Sequence, residues 1–397
     1  MIGLIEPRRD GRRLALRLLG QLLGPPRGGS GGPRTILVMR PDHLGDLLFL
    51  TPALRRLRRA FPDARILGLV GLWGLPVLRT NPNLDGLIGW DFPWFNRQPR
   101  RSLIAPYLSL LRLARRLRAE RIDIALQFRS DFWWGALAVR LAGIPEQIGY
   151  DVPLARPFLS QALPIIHGLH AVDENIRLVE SLAGPAPGTS DALEFPIADG
   201  DRERARQLLG PLADYPRLVA IQVGAGAAVK RWPLDRLAAV GRGLADSSGV
   251  VPVVIGGSSE RSAVHEVVRR IGPPAIGLAG VTTVGELAAV LERCALALGP
   301  DSGPLHLAVA VGTPTLHLFG PADPRRFGPY GDRSRHRVIL ARWPCCPCNQ
   351  LDFPAGAVTA HACMAAIPVE TVLEHARDLL ERAAGNHRAV GSPVEGH

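Results

Sequence analysis

The feature that most constrains this chain is an alternation of short apolar runs with longer amphipathic segments, met once before residue 190 and again after residue 200. Thr35-Ile-Leu-Val-Met-Arg40, bounded by Pro41, lacks the polar alternation of a strand with one wet face, so it predicts a strand buried on both sides. Beyond it, Leu47, Leu50, Leu54, Leu57 and Phe61 share one helical face while Arg55, Arg56 and Arg59 project from the other. Strands at 65–70 and 122–128 then alternate with helices at 103–119 and 132–142. In the second series, strands at 218–223, 250–255, 275–278, 295–298 and 315–319 are separated by helices at 234–245, 260–271, 284–294 and 305–311. Crossover helices return the chain to the same end of a sheet, so the strands they join run parallel. The expected fold class is α/β, two Rossmann-like domains in tandem, and such sheets bind ligands outside the carboxyl ends of their strands.

A chain of 397 residues has room for two domains of this kind. Residues 12–23 form a short amphipathic helix with Leu14, Leu18, Leu19, Leu22 and Leu23 on one face and Arg13 and Arg17 on the other. It fits either a membrane interface or a place on the domain surface. Glycines and prolines from 24 to 33 make a flexible linker, and a second such stretch at 184–188 separates the two series. Arg17 interrupts the apolar start and no small-residue cleavage site follows, so the segment reads as retained rather than as a signal peptide. The longest run without a formal charge, Ser302 to Ala322, is broken by Pro304 and Pro314, and no membrane span is expected. Five cysteines are too few to staple a chain of this size, which points to a reducing cytoplasm.

The formal charge of +11 calls for an anionic partner: nucleic acid, a phosphate-bearing metabolite or a lipid headgroup. Residues 1–199 carry +8 of it. All the basic residues but one are arginine, and the single lysine is Lys230. A compact ammonium kept where the chain otherwise uses planar guanidinium suggests a crowded phosphate site.

Three segments that join a strand end to a helix could carry chemistry. Arg40-Pro-Asp42-His43-Leu-Gly45-Asp46 puts a carboxylate near a helix N-terminus, where Asp46 serves either as a general base or as a helix-stabilising charge. Val223-Gly-Ala-Gly226-Ala-Ala-Val-Lys230-Arg231-Trp232-Pro233 offers a glycine-bearing loop followed by two cations, a diphosphate cradle without P-loop spacing. In Gly299-Pro-Asp301-Ser302-Gly303-Pro304-Leu-His306 the amides of Ser302 and Gly303 can donate to an anion, or Asp301 and Ser302 simply cap a helix with His306 in the core. Cys345-Cys346-Pro-Cys348, with Cys363 and His361, lacks the second Cys-x-x-Cys pair of a zinc site and fits a thiol cluster or an optional disulfide.

Taken together, residues 36–46 with Thr51-Pro-Ala-Leu, Lys230-Arg-Trp-Pro233, Gly256-Gly-Ser-Ser-Glu260, Leu278-Ala-Gly280, Asp301-Ser-Gly-Pro-Leu-His306 and Phe319-Gly-Pro321 resemble glycosyltransferase family 9, the bacterial ADP-heptose lipopolysaccharide heptosyltransferases. The resemblance spans roughly residues 34–385 and implies a GT-B fold: a basic segment and linker at 1–33, an acceptor-binding domain at 34–190, a nucleotide-sugar domain at 191–368, and a C-terminal helix and tail at 369–397 returning to the first domain. It implies inverting, metal-independent transfer of a sugar, heptose foremost, from a nucleotide diphosphate sugar such as ADP-heptose to a lipopolysaccharide-core or other cell-surface glycan, with no cofactor. By the same resemblance Asp46 is the base and Lys230 a catalytic cation; Gly226, Lys230, Glu260, Thr282, Asp301, Ser302, Gly303 and His306 face the donor. Arg40, His43 and Gly45 are assigned to the acceptor, which is expected to be an anionic glycolipid met at the inner face of the cytoplasmic membrane. Gly226 and Ala225 stand where characterised members carry hydroxyl residues, which bears on donor choice.

Two rivals remain at the level of sequence. The basic balance suits a nucleic-acid-binding protein, but no recognition motif is present and the cations are spread over amphipathic helices. A dinucleotide-dependent oxidoreductase needs G-x-G-x-x-G, and the loop at Gly224-Ala-Gly226 has Val229 where the third glycine belongs.

Overall fold

The computed structural model describes residues 15–21, 32–93, 95, 104–353 and 361–390. Its contacts divide the chain at Ser190–Asp191 into two units, with Leu44–Phe49 grouped with the second.

The first unit is built on six parallel strands: β1 (Thr35–Arg40), β2 (Arg65–Gly71), β3 (Gly86–Trp90), β4 (Ile124–Gln127), β5 (Glu146–Tyr150) and β6 (Gln161–Leu163), in the order β3-β2-β1-β4-β5-β6. The second repeats the plan with β7 (Leu218–Gln222), β8 (Val251–Gly256), β9 (Ile276–Ala279), β10 (Cys294–Pro300), β11 (Thr315–Phe319) and β12 (His336–Leu340), in the order β12-β11-β10-β7-β8-β9. Each is the doubly wound order of a dinucleotide-binding fold, in which strand order reverses between the first and fourth strands. The expected pair of Rossmann-like sheets is therefore present. Every residue of β1 and of β7 is buried, as continuous apolar runs require. β3, β5, β6 and β12 were not foreseen, because glycine, glutamine and histidine interrupt their apolar pattern.

In the first unit one face of the sheet, with Leu37, Met39, Leu67 and Leu69, is covered by α5 (Ala105–Ala119), α6 (Trp133–Ala142) and the short helix α1 (residues 15–21). Side-chain alternation along β1 leaves Ile36 and Val38 for the opposite face, where α3 (Thr51–Ala60) and α7 (Ala171–Ala183) pack together. Arg55 reaches the Ser190 carbonyl at 2.6 Å, Arg56 the Glu180 carboxylate at 2.7 Å and Arg59 the Thr189 hydroxyl at 2.8 Å. The α3 arginines thus tie this helix to the end of the unit rather than stand free.

α1 docks by a face other than the one its leucine pattern suggested. Leu16 is buried in the core and Leu19 packs beside it, while Ala15, Arg17 and Leu18 face outward. Gly20 permits the approach, since a Cβ there would lie 2.8 Å from Pro157. Arg13, Leu14, Leu22 and Leu23, the other residues of the expected helix, lie outside the described residues, as does most of the linker.

The single helix read over residues 47–61 is two: α2 (Leu44–Leu48) and α3, which restarts with Pro52 in its first turn, where a missing N–H costs nothing, and a one-turn helix, α4 (Leu75–Leu78), follows β2. In the second unit α9 (Leu234–Ser248), α10 (Arg261–Ile271), α11 (Val284–Glu292) and α12 (Gly303–Ala310) follow their strands. Residues 369–390 form one helix, α14 after α8 (Asp199–Leu209) and α13 (Pro324–Phe327), and its Val372, Ala376, Leu379 and Leu380 belong to the second unit's core.

The second sheet carries a buried polar chain. His317 Nε2 lies 3.0 Å from Thr315 Oγ1, which lies 2.9 Å from His336 Nδ1. Burial holds His317 well below the usual histidine range and His336 down to about 4. An unfolded histidine takes up its proton near pH 6.5, so the unfolded state binds more protons than the native one below that value. Stability is then full above about pH 6.5 and falls as pH drops toward 4. We expect the urea midpoint to fall between pH 7 and pH 4.5, with His336→Gln flattening the decline; an equally steep decline in the variant would assign it elsewhere. Leu16→Ala should cost about 2 kcal/mol in thermal unfolding and Leu18→Ala less than about 0.5, a contrast that tests the docking of α1.

Candidate functional site

The segments singled out in the sequence lie at the carboxyl ends of the two switch-point strand pairs. In the second unit the loop from Val223 to Lys230 follows β7 and Asp301 follows its neighbour β10, so both emerge at the point where strand order reverses. Lys230 Nζ lies 2.6 Å from Asp301 Oδ2, with both side chains largely buried. The other oxygen, Oδ1, lies 3.2 Å from His306 Nε2, one turn into α12. An ionised carboxylate only accepts, so His306 carries its hydrogen on Nε2 and donates it. Burial pushes the Asp301 carboxyl up, but the His306 hydrogen bond and the Lys230 charge prevail and hold it well below the usual carboxylate range. Asp301 and His306, at 5% and 3% exposure, are thus spent on one another and on Lys230. This differs from the expectation that both face a ligand.

Lys230 keeps two further N–H donors beyond the one aimed at Asp301. Ser302 is the N-cap of α12 and Pro304, which has no N–H, sits in its first turn; Leu305 and His306 donate to the Ser302 carbonyl, and the Gly303 amide has no partner within the helix. The Ser302 hydroxyl is buried with no hydrogen-bond partner. A fixed cation and a helix N-terminus therefore stand on the same strand pair, a combination suited to a diphosphate.

Glu260 is brought to the same loop by glycine. A Cβ on Gly224 would fall 1.5 Å from Glu260 Oε1, so only glycine lets the carboxylate lie there, and Glu260 Oε2 accepts from the Gly257 amide at 2.8 Å. Gly226 lies in that loop. Thr282 follows the edge strand β9 and is half-buried, next to Thr283, the residue that caps α11. No contact described for Thr282 joins it to the Lys230 group.

Asp46 lies in the first turn of α2. α2 packs on α12 through two glycines: a Cβ on Gly45 would sit 3.1 Å from the His306 ring, and one on Gly303 would sit 2.9 Å from Leu44. Phe49 meets the His306 ring edge-on at 4.5 Å between centroids. These contacts explain why Leu44–Phe49 groups with the second unit, although residues 34–190 were expected to form one domain.

In the first unit Arg40 is buried. Its Nη1 donates to Asn175 Oδ1 at 2.6 Å and its Nε lies 3.2 Å from Asp42. Asp42 also takes Arg129 Nη1 at 2.5 Å. Burial would lower the Arg129 pKa, but Asp131 and Asp42 raise it above the ordinary arginine value. Arg40 is accordingly a structural member of an Arg40–Asp42–Arg129 network, while Arg129, which is partly exposed and which the sequence reading missed, is its outward cation. His43 lies 5.5 Å from the Trp73 ring, and Trp73 Nε1 donates to the Asp42 carbonyl at 2.9 Å. Neither Arg129 nor Trp73 belongs to a local motif; only the strand order brings them to the end of β1.

Asp301, His306 and His317 offer ligand atoms within 4.8 Å of one another. With the Lys230 ammonium on one carboxylate oxygen and an imidazole N–H on the other, this group reads as a hydrogen-bonded ion network already neutralised. The cysteines 345, 346, 348 and 363 are free thiols. Burial, then Cys363 beside it, pushes the Cys346 thiol up to about 12. They form no three-ligand metal group among the described residues.

Residues 110–353 match the model of glycosyltransferase family 9 (heptosyltransferase). The chain is 30% identical over 286 residues to lipopolysaccharide heptosyltransferase 3 of Escherichia coli K12, covering 70% of this chain and 80% of that one. Its structure is similar to that of a family 9 glycosyltransferase from Veillonella parvula, with a TM-score of 0.76, 26% identity, and coverage of 90% of this chain and all of that one. The fold is shared also with the E. coli heptosyltransferase WaaC solved with ADP-2-deoxy-2-fluoro heptose, at a TM-score of 0.61, 20% identity and coverage of 86% and 99%. The nucleic-acid-binding and oxidoreductase readings give way to these likenesses: the chain belongs to glycosyltransferase family 9 and is a glycosyltransferase with the α/β fold of that family.

Proposed function

We propose that this enzyme transfers heptose from ADP-heptose to a lipopolysaccharide-core glycan, with inversion and without a metal. The observation that carries the reading is the Lys230–Asp301–His306 network at the β7/β10 switch point, beside the N-terminus of α12. The named function of the E. coli relative and the ADP-sugar bound by WaaC support the choice of sugar and nucleotide.

In this reading Asp46 takes the proton of the acceptor hydroxyl as its oxygen attacks the anomeric carbon. The bond from that carbon to the diphosphate breaks, and ADP departs with the electron pair. Lys230 and the Ser302 and Gly303 amides receive the developing charge, which fixed donors stabilise without reorganising. Asp301, held by His306, acts as a positioning residue that aims the ammonium. Glu260, Gly226 and Thr282 contact the rest of the donor. His43 and Gly45 border the acceptor, and Arg129 takes over the cationic role expected of Arg40. Free thiols fit a reducing cytoplasm, where we place the enzyme. No described helix is long and apolar enough to cross a membrane.

A thermal-shift series over ADP-, GDP- and UDP-sugars tests the donor: at 100 times its Kd the true one adds about 2.7 kcal/mol, and a response to UDP-sugars alone would refute the ADP assignment. Asp46→Asn should lower turnover by roughly 10²- to 10⁴-fold with ADP affinity nearly unchanged in calorimetry, since it removes basicity at constant shape. Lys230→Arg should weaken ADP binding and reduce kcat on the order of 10²-fold, because a guanidinium presents its donors in a rigid planar fork and not from one compact nitrogen held by Asp301. Unchanged kinetics would detach the lysine from the chemistry.

A further inference from the structure

Basic amphipathic segments are scattered along the first half of the chain, and the structure sorts them. The α3 arginines are held by Ser190, Glu180 and Thr189 on one side of the first sheet. On the other side lie α1, α5 and α6, which share a core.

α5 is apolar on two faces. Leu110, Leu113, Ala114 and Leu117 point into the core. Ile104 (67% exposed), just before the helix, and Tyr107 (56%), Leu108 (48%) and Leu111 (48%) recur at i, i+3, i+4 and i+7 on its outer side. A helix on a water-facing surface buries one apolar stripe and presents polar residues on the other. The outer stripe is fixed in place: Trp134 Nε1 donates to the Pro106 carbonyl at 3.1 Å, and Trp90 Nε1 to Ser109 Oγ at 3.0 Å. Rotation to bury it would break both bonds.

The stripe continues into charge. Arg112 and Arg115, one turn beyond Leu108 and Leu111, are exposed and make no ion pair among the described residues. Their neighbours are occupied, Arg116 by Glu120 at 2.8 Å and Arg118 by the Leu141 carbonyl at 2.7 Å. On the same layer α1 turns Arg17 and Leu18 (51% exposed) outward, with the small Ala15 beside them. Two separate elements thus place apolar side chains and outward guanidinium groups on one side of one unit.

We propose that this face, the outer stripe of α5 with Arg112 and Arg115 and the outer residues of α1, docks on an anionic lipid leaflet. The apolar side chains enter the boundary between headgroups and acyl chains, and the guanidinium groups take the lipid phosphates. The choice of occupant rests on charge complementarity, and its use rests on the reading that the acceptor is lipid-linked.

The test is co-sedimentation of the full chain with vesicles of phosphatidylcholine and of phosphatidylcholine mixed with phosphatidylglycerol. The protein should pellet with the anionic vesicles and be released by salt. The pair Leu108→Asp and Leu111→Asp should lower the partition at least tenfold, and Arg112→Gln with Arg115→Gln should remove the preference for anionic lipid. Arg55→Gln with Arg59→Gln, on the opposite face, should stay within about twofold of the unaltered protein. Circular dichroism and ADP binding of each variant separate docking from folding. Absence of ADP binding in the unaltered protein would refute the donor assignment alone. No pelleting at low salt, equal binding to neutral vesicles, or α5 variants that pellet like the parent would overturn the docking proposal. So would a dimer that the leucine variants convert to monomer, since a second copy would then occupy the stripe.

Discussion

The buried pair between Lys230 and Asp301 is the interaction on which the site depends. An ammonium held out of water is costly unless its charge is met, and a carboxylate in the same place is equally so. Placing them 2.6 Å apart, with His306 donating to the second carboxylate oxygen, satisfies both and fixes the direction of the cation. Two parallel strands adjacent in the sheet and distant in sequence bring the partners together, Asp301 directly after β10 and Lys230 at the end of the loop that follows β7.

Close approach of backbone to side chain is the second constraint, and glycine meets it three times. Gly224 makes way for Glu260, Gly45 for the His306 ring, and Gly303 for Leu44. The last two let α2 lie on α12, which groups the short segment carrying Asp46 with the unit that holds Lys230. A side chain at Gly224 or Gly45 would displace a charged or aromatic group that the proposed chemistry uses, and one at Gly303 would push α2 away.

The first unit divides its arginines by layer. Those of α3 and Arg40 are spent on internal contacts, Arg40 with Asn175 and Asp42 and the α3 residues with the segment leading to Ser190. Those of α5 at positions 112 and 115 remain outward beside an apolar stripe. A net charge summed over residues does not separate the two groups, because ion pairing is a property of neighbours in space.

Sequence alone determined the class of fold, the ends of the strands that matter, and the motifs at those ends. Apolar periodicity is local, and strands such as Thr35–Arg40 and Leu218–Gln222 announce themselves by it. The single lysine and the segment 299–306 were visible in the same way, as was the family resemblance. Short strands with glycine, glutamine or histidine, such as Gly86–Trp90 and His336–Leu340, were not, since these are half-buried edge strands held by pairing with one neighbour rather than by an apolar pattern of their own. Only the tertiary structure showed that Asp301 and His306 hold Lys230, that Arg129 and not Arg40 faces outward, and that Leu16 rather than Leu18 anchors α1. Each of these depends on which strands and helices lie side by side, and a contact between residues 71 or 87 positions apart leaves no periodic trace in the chain.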